Sequence, residues 1–451
     1  MKKIKNGLFS MFAGVLLVTS AAAQEEAGVI VSRRFLNRWL DRQFDLSFRR
    51  AGAEILGMGG AGLATSHSLA SALWNPGGLA QLDGLTFAFN GSFNLNSHEV
   101  ALQPLSGMKI VSEIESRLLP TFAGVAYPLK LANRRLTFAA AYHRMSPLAQ
   151  RITDTFYIYP AGTFDEVESP RGSLYAIVPA MAFELIPEVS IGASYHIVRG
   201  YSKYQVELKS SFLDEFIFFA FKDREAYEGS FANIGIWARP ISWLALGATV
   251  TPAWQFTVVE EQESRFTATQ ISTGSSGTTV EGETIETPAA DLDEFKLDIP
   301  LFYSVGLAIN PISKLTLAFD FEARPWSEAK QTSGGAQTAA GLLNGNAIHL
   351  GLEYRAATRW AEFPMRFGYY TDPSPYQDRY FQGQYFGKQI EAEAFTFGMG
   401  LRKRPWTFDM AVELGRKEME FWLDSGDFYN ERISSTEERF NEVSFSFGYH
   451  F

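Results

Sequence analysis

The sequence predicts an all-β fold, a fourteen-stranded antiparallel transmembrane β-barrel with an N-terminal plug in its lumen. Three observations carry this prediction: strands in which apolar residues alternate with small or polar ones, long loops that alternate with short turns, and an aromatic C-terminal strand. The expected organisation is a signal peptide at 1–23, a plug at 24–83 and a transmembrane barrel at 84–451.

Composition excludes several classes of protein. The 451 residues carry a net charge of −10 and contain no cysteine. A nucleic-acid-binding surface needs clustered Lys and Arg, so this charge argues against a nucleic acid as partner. Without cysteine there are no disulfides, thiolate nucleophiles or cysteine-based metal sites. We expect neither a cofactor nor a bound metal ion.

The first residues have the features of an export signal. Lys2, Lys3 and Lys5 precede a short apolar run at 8–18, and small residues follow at 20–23. This order is typical of a secretory signal peptide. The apolar run is too short to cross about 30 Å of hydrocarbon, and no later run reaches the ~18 apolar residues of a transmembrane helix. The exported chain is therefore either a secreted soluble protein or an outer-membrane barrel.

The C-terminal strand separates these alternatives. From Glu442 to Phe451, apolar side chains recur at every second position, which places them on one face of a strand. A soluble protein would expose this row to water, whereas a barrel in the bacterial outer membrane turns it toward lipid. A terminal aromatic residue such as Phe451 resembles the signal that the outer-membrane assembly machinery recognises, so we expect that machinery and outer-membrane lipid as partners.

The same alternation recurs along the chain. It predicts fourteen strands, at 84–97, 117–128, 134–145, 171–185, 188–208, 227–239, 243–258, 294–309, 314–326, 346–356, 364–371, 392–402, 406–420 and 441–451. In each strand one face is apolar and the other is small, polar or charged, as lipid outside and a lumen inside require. In the eighth strand, for example, the pattern puts Leu297, Ile299 and Leu301 toward lipid and Asp298 toward the lumen.

Short turns alternate with long polar loops, which we expect to lie in the periplasm and outside the cell, respectively. The third long loop, 209–226, is unusually apolar. Within it Phe212, Phe216 and Phe219 fall on one face at helical spacing. Exposed apolar patches usually mark interaction sites, although these residues would also suit packing onto the plug or an extension of the fifth strand. The candidate substrate-binding residues here are Phe212, Leu213, Phe216, Ile217 and Phe219.

The region before the first strand does not alternate. Residues 31–44 have the spacing of an amphipathic helix, and two segments rich in small residues follow at 53–64 and 68–80. Glycine lets the backbone turn sharply and pack closely inside a crowded lumen. The candidate plug or gate residues are Gly57, Gly59, Gly60, Gly62, Asn75, Pro76 and Gly77.

The segments G-M-G-G-A and A-L-W-N-P-G-G-L-A, placed before a first strand, resemble the N-terminal hatch of FadL-type outer-membrane transporters. The resemblance implies a plugged fourteen-stranded barrel that takes up long-chain fatty acids or other hydrophobic small molecules. It implies capture in an outer apolar groove, then plug-gated lateral release beside the third strand, here about 134–145. The family's Asn-Pro-Ala motif matches Asn75 and Pro76, with Gly77 in place of Ala.

Two alternatives to transport stay open. PorV-type barrels share the N-terminal signature and serve protein secretion or surface attachment, so a secretion-system protein is a possible partner. The second alternative is a barrel enzyme with a Ser–His pair assembled across strands. We expect no enzyme, because the six histidines form no H-E-x-x-H motif and the chain has no G-x-S-x-G.

A carboxylate ligand would need a basic partner in the lumen. Arg355, Arg366 and Arg402 lie on predicted lumen faces and are the candidates. Acidic residues, among them Glu353 and Asp409, lie on the same faces. Pairing across strands would hold the arginines in a closed lumen, and this is the interpretation that the sequence favours.

Overall fold

The structure, a computed structural model, describes most of the chain from residue 51 onward. The described residues are 51–65, 67–95, 97–99, 108–114, 118–146, 152–158, 162–168, 171–212, 215–274, 277–291, 294–381, 384–419, 422–423, 431–432 and 436–451. The predicted signal peptide and the predicted amphipathic helix at 31–44 lie outside these residues. Of the predicted plug segment at 24–83, the structure describes residues 51–65 and 67–83.

Fourteen long antiparallel strands form the wall of a closed barrel. They are β1 (Thr86–Asn94), β2 (Leu118–Leu131), β3 (Arg134–Ser146), β4 (Arg171–Ile186), β5 (Val189–Phe212), β6 (Glu215–Ile241), β7 (Leu244–Thr251 and Trp254–Gly274), β8 (Phe295–Ile299 and Phe302–Ile312), β9 (Leu315–Arg324), β10 (Gly345–Ala357), β11 (Glu362–Thr371), β12 (Glu391–Lys403), β13 (Trp406–Met419) and β14 (Thr436–His450). Each pairs with the next, and β14 pairs with β1 from Thr86↔His450 to Asn94↔Glu442. The predicted strand number and closure are confirmed.

Shorter elements lie at the outer ends of the wall and inside it. The short strands are Ser97–Glu99, Met108–Ile114, Ile152–Ile158, Gly162–Glu168, Gly277–Asp291, Lys330–Ser333, Ala336–Ala339, Gln377–Phe381, Gln384–Gln389, Trp422–Leu423 and Glu431–Arg432. The helices are α1 (Ala53–Leu56) and α2 (Ser71–Trp74), with 3-10 turns at Pro76–Gln81 and Trp326–Glu328. None of the helices in the described part of the chain has the length and apolar character to cross a membrane.

The two faces of the wall differ as the alternation predicts. Outward-facing Leu350, Phe397 and Leu401 are 41–47% exposed. On the inner face, Asp320 and Thr396 are at most 2% exposed. Because such an outer face is stable only against lipid, the barrel is a membrane protein, and barrels of this kind belong to the outer membrane.

One strand departs from the predicted facing. In β8, Leu297 and Ile299 are 3% and 1% exposed and face the interior, whereas Leu301 is 44% exposed. Pro300 and Leu301 separate the two parts of β8 and do not pair with β7, and the alternation shifts by one position across them. The predictions that Leu297 and Ile299 face lipid and that Asp298 faces the lumen are therefore wrong. The Asp298 side chain instead lies on the exposed side, where it accepts a hydrogen bond from Gln255 at 2.7 Å.

The predicted loop at 209–226 is also different. The backbone of β5 extends to Phe212 and that of β6 begins at Glu215, so these residues form the end of a long hairpin. The prediction that Phe212, Phe216 and Phe219 share one face of a helix is therefore wrong, because successive residues of a strand alternate between its two faces. Leu213 lies outside the described residues, and the side chains of Phe212, Phe216, Ile217 and Phe219 lie outside the described side chains.

Candidate functional site

The N-terminal segment 51–83 lies inside the ring of strands. Its backbone contacts wall side chains from several directions at once, at 2.7–2.9 Å. The wall partners are Ser446 of β14, Thr396 of β12, Asp320 of β9, Trp237 of β6 and Ser190 of β5. These strands extend from β5 to β14 of the closed barrel, so a buried segment that bonds to all of them lies on the inner side of the wall.

The glycine-rich turn of this segment packs against β10, β11 and β12. Gly59 and Gly60 have φ angles of 65° and 79°, values that glycine adopts readily. A Cβ on Gly59 would lie 2.7 Å from the carbonyl oxygen of Leu350 and from the backbone of Tyr369. The Thr396 hydroxyl donates to the Gly57 carbonyl (3.1 Å), so the turn both fits closely and is hydrogen-bonded.

The remaining glycine of the candidate gate packs within the segment itself. A Cβ on Gly62 would lie 2.6 Å from the side chain of Ile55 and 3.1 Å from the indole of Trp74. Trp74 is 4% exposed and donates from its Nε1 to the carbonyl of Ala51 at 2.8 Å. These contacts hold α1 and α2 together as one compact body.

The Asn75-Pro76-Gly77 motif docks on the opposite side of the lumen. The Asn75 amide nitrogen donates to the carbonyls of Leu63 (2.8 Å) and Ile236 (2.9 Å). The Gly77 carbonyl accepts from the Ser190 hydroxyl at 2.8 Å, and a Cβ on Gly77 would lie 2.9 Å from the backbone nitrogen of Trp237. The motif's hydrogen bonds to the wall thus go to β5 and β6.

An ion-paired cluster lies on the inner face of β10–β13. Arg366, whose side chain is 0% exposed, donates to Glu353 (2.8 Å) and to Asp409 (2.6 Å). Arg402 and Arg355 also approach Glu353, at 3.5 and 3.6 Å. The structure therefore brings together the three arginines named from the sequence, around carboxylates that already pair with them. This agrees with the cross-strand pairing that the sequence favours.

The opposite side of the lumen is lined by aromatic side chains, with the buried Glu225 accepting a hydrogen bond from the Tyr227 hydroxyl among them. The sequence analysis did not identify this lining. Phe231 of β6 stacks on His196 with 4.3 Å between ring centroids and contacts Trp254 at 4.8 Å. Phe256 continues the row, 5.8 Å from both Trp254 and Tyr227. We call these five side chains the aromatic cluster.

His196 of the aromatic cluster lies close to a serine, as the alternative of a barrel enzyme with a Ser–His pair would require. The Ser194 hydroxyl lies 3.2 Å from Nε2 of His196. The imidazole, however, is stacked nearly parallel to Phe231. Within the described residues, no group of three or more His, Cys, Asp or Glu side chains could hold a metal ion.

One small pocket lies between the plug and the wall. It has a volume of about 30 Å³ and lies between the start of the plug and β1–β3, and its lining includes Leu56, Asn90 and Arg144. Such a pocket has room for a few water molecules, whereas a drug-sized ligand needs roughly 300 Å³ or more. At this pocket the plug would have to move before a larger molecule could enter.

The comparisons with known proteins agree with this architecture. No family model matches the sequence, and no curated protein matches it. A Pseudomonas aeruginosa FadL homologue is similar in structure, with a TM-score of 0.55 and 12% identity, covering 89% of this chain and 98% of that one. The Ralstonia pickettii toluene transporter TbuX has a TM-score of 0.54 and 13% identity, covering 90% of this chain and 100% of that one.

The monoaromatic hydrocarbon channel CymD is similar to the same degree, with a TM-score of 0.54, 13% identity, and coverage of 90% of this chain and 99% of that one. At these identities the likeness concerns the fold, and it extends over nearly the full length of each neighbour. Together with the closed wall and the segment inside it, the likeness shows that this chain has the fold of the FadL-type outer-membrane transporters.

Proposed function

We propose that the protein is a passive outer-membrane transporter that takes up long-chain fatty acids or other hydrophobic small molecules. The observation that carries the proposal is the aromatic cluster, an apolar inner wall directly beside the plug. An apolar molecule gains roughly 0.8 kcal/mol for each buried methylene, so such a wall favours its entry without an energy source. The neighbours described as a toluene transporter and a hydrocarbon channel support the same class of ligand.

The proposed path has three steps. The ligand is captured at the outer end of the β5–β6 hairpin, where the sequence from Phe212 to Phe221 is apolar. It then passes between plug and wall, which requires the plug to shift because the pocket beside it is small. It finally leaves sideways into the bilayer. A fatty acid's carboxylate would interact with Arg355 or Arg402, whose side chains are 33% and 35% exposed, rather than with the enclosed Arg366.

The test is uptake of radiolabelled oleate and radiolabelled toluene by cells that express the protein. A Phe216→Asp, Phe219→Asp variant places two charges in the proposed capture site and should lower the initial rate several-fold. A Thr278→Asp, Thr279→Asp variant carries the same charges in the adjacent outer hairpin and is the matched control. Heat-modifiable mobility on gels verifies that both variants are folded. Equal uptake by the Phe variant and the wild type, or no uptake by the wild type, contradicts the proposal.

The same preparation addresses the partners. A PorV-like role predicts that a stoichiometric protein partner, rather than lipid, copurifies with the barrel from its native membrane. Recognition by the barrel assembly machinery rests on Phe451, which is 72% exposed and whose backbone nitrogen donates to the Leu85 carbonyl at 3.0 Å. Phe451→Ala should reduce the amount of assembled barrel without changing uptake per assembled molecule.

A further inference from the structure

The wall of the barrel is interrupted between β6 and β7. Their pairing runs from the periplasmic end to Ile234↔Val250 and resumes only at Gly229↔Phe256. Between these pairs, residues 230–233 of β6 face residues 251–255 of β7 with no register between them. The same residues of β6 remain paired with β5 on their other side, so the interruption belongs to this interface.

Two neighbouring interfaces are interrupted at the same level. Pairing of β7 with β8 stops at Thr251↔Phe302 and resumes at Trp254↔Ile299. Pairing of β8 with β9 stops at Tyr303↔Ala323, and the first part of β8 pairs instead with the short strand Lys330–Ser333 beyond the 3-10 turn. A proline occupies each break, and proline has no N–H to donate to a ladder. The prolines are Pro252, Pro300 and Pro325. We call the interrupted residues, 230–233, 251–255, 299–302 and 324–329, the seam.

The third strand, where the family resemblance implies lateral release, has no comparable gap. Its register with β2 is continuous from Phe122↔His143 to Leu131↔Arg134. With β4 it runs unbroken from Leu136↔Phe183 to Arg144↔Tyr175, and it shifts only at the outer end of the strand. Opening the wall at β3 would therefore break an intact ladder, whereas the seam has no ladder pair between β6 and β7.

The seam lies at the outer edge of the lipid-facing belt. On its periplasmic side, Ile234 and Tyr303 face outward and are 46% and 49% exposed. On its outer side charged groups join the exposed surface, with an Arg199–Glu228 ion pair at 2.6 Å whose two side chains are 47% and 65% exposed. Tyr201 and Val259, each 46% exposed, continue the apolar surface beside this pair. A molecule that crossed the wall here would enter the outer leaflet beneath the headgroups, and would not have to pass between them.

The interior of the barrel leads an apolar molecule to this place. Phe231 and Trp254 of the aromatic cluster belong to the seam itself. Asn233, 6% exposed, has a side-chain oxygen that no donor among the described residues reaches. Directly below it on β6, the Ile236 carbonyl holds Asn75 of the plug. The plug motif, the apolar lining and the gap in the wall therefore meet on one strand.

We propose that the seam is a lateral port, through which an uncharged apolar molecule passes between the lumen and the outer leaflet when β6 and β7 part. This inference rests on the proposed transport function and assigns its exit to β6–β7 rather than to β3. Release of two hydrogen bonds, from Asn75 to the Ile236 carbonyl and from Trp237 to the Ala64 carbonyl, frees β6 from the plug. The seam then widens without loss of any β6–β7 ladder pair inside it.

The absence of cysteine allows the port to be locked. Ala232 and Ala253 lie on the two sides of the seam, and Ala232→Cys, Ala253→Cys would be bridged in cells with a short bifunctional methanethiosulfonate. The matched control is Phe138→Cys, Met181→Cys, two paired lipid-facing residues of β3 and β4 that are 45% and 47% exposed. Uptake of radiolabelled toluene and oleate is measured before bridging, after bridging and after reduction.

Bridging the seam should lower the initial uptake rate at least tenfold, and reduction should restore it, while the bridged control keeps its unbridged rate. Unchanged uptake through a bridged seam, or a block by the β3–β4 bridge alone, overturns the port and leaves the transport function intact. Absence of uptake by the unbridged wild type instead removes the transport function, and the port with it.

A second measurement does not depend on transport. Amide hydrogen exchange of the barrel in lipid nanodiscs should be at least a hundredfold faster at 230–233 than at 137–141 of β3. Equal protection of the two segments would show that the seam is no weaker than an ordinary part of the wall, and would overturn the port.

Discussion

Both sides of the lumen bind the plug by hydrogen bonds, but the β9–β14 side also carries the ion-paired cluster around Arg366. The β4–β8 side binds the Asn75-Pro76-Gly77 motif and carries the aromatic cluster. On the first side, neighbouring strands keep one register, although the two pairs at Phe363 and Pro364 are missing between β11 and β12. There Arg366 of β11 pairs with carboxylates on β10 and β13. On the second, the ladder is interrupted at the seam. The difference suggests a division of labour, in which one side anchors the plug and the other side lets an apolar molecule pass.

The largest effect should come from the anchoring side. Arg366→Ala leaves Glu353 and Asp409 buried without their main counter-charge, which costs about 3–5 kcal/mol. Chemical unfolding in lipid vesicles should show this loss of stability. The control, Arg404→Ala, removes an ion pair with Asp83 whose side chains are 86% and 69% exposed, and should have almost no effect. A similar loss in both variants would contradict an anchoring role for Arg366.

A second change tests whether the packing of Gly59 against β10 and β11 holds the plug in place. Gly59→Ala brings a methyl group against the backbone of β10 and β11, and we expect a loss of about 1–3 kcal/mol together with a higher ion conductance in planar bilayers. Gly334→Ala is the control, because Gly334 has a φ of 58° but no atom within 4 Å of the added Cβ. Unchanged conductance in the Gly59 variant would show that the plug does not close the lumen at this turn.

The aromatic side should respond more weakly. Phe231→Leu keeps an apolar side chain but removes the stacking on His196 and Trp254, for an expected loss of about 1 kcal/mol of unfolding free energy. Phe408→Leu makes the same change on the lipid-facing surface, where Phe408 is 44% exposed, and should change stability less. If uptake of radiolabelled toluene is the same in both variants, the aromatic cluster does not take part in transport.

The smallest effect concerns pH. Burial, reinforced by Asp409, raises the pKa of Glu54 in the plug above its ordinary value of 4.5. The folded state therefore holds this proton more tightly than the unfolded chain, so the contribution of Glu54 to stability falls as the pH rises from 4.5 through its raised pKa. Glu54→Gln should gain stability relative to the wild type over this range. Parallel stability curves for the two proteins between pH 4 and 8 would refute this expectation.

The strands of the wall could be predicted because each of their side chains faces either lipid or the lumen. Where lipid lies outside and polar groups lie inside, as at Leu350 and His349, alternation identifies both strand and facing. In β8 the interior is apolar as well, so Leu297 and Ile299 match the lipid-facing pattern although they point inward. Three prolines about ten residues from the periplasmic turns were the available signal for the seam.

The plug could be predicted only as a segment, without its contacts. Glycines and the Asn75-Pro76 pair indicated close packing, but the hydrogen bond from Ala53 to Ser446 joins residues 393 positions apart. No local pattern encodes such a pair. The arginine cluster was predicted more fully, because opposite charges on the same face of neighbouring strands pair wherever the strands lie.

The order of these contacts along the chain also constrains biogenesis. The plug is translated and exported ahead of every strand that it binds, yet its partners extend from Ser190 of β5 to Ser446 of β14. The plug therefore cannot reach its final place until the last strand has arrived. Contacts between residues so far apart in sequence form slowly during folding, so we expect removal of the last strand to prevent the plug from docking completely.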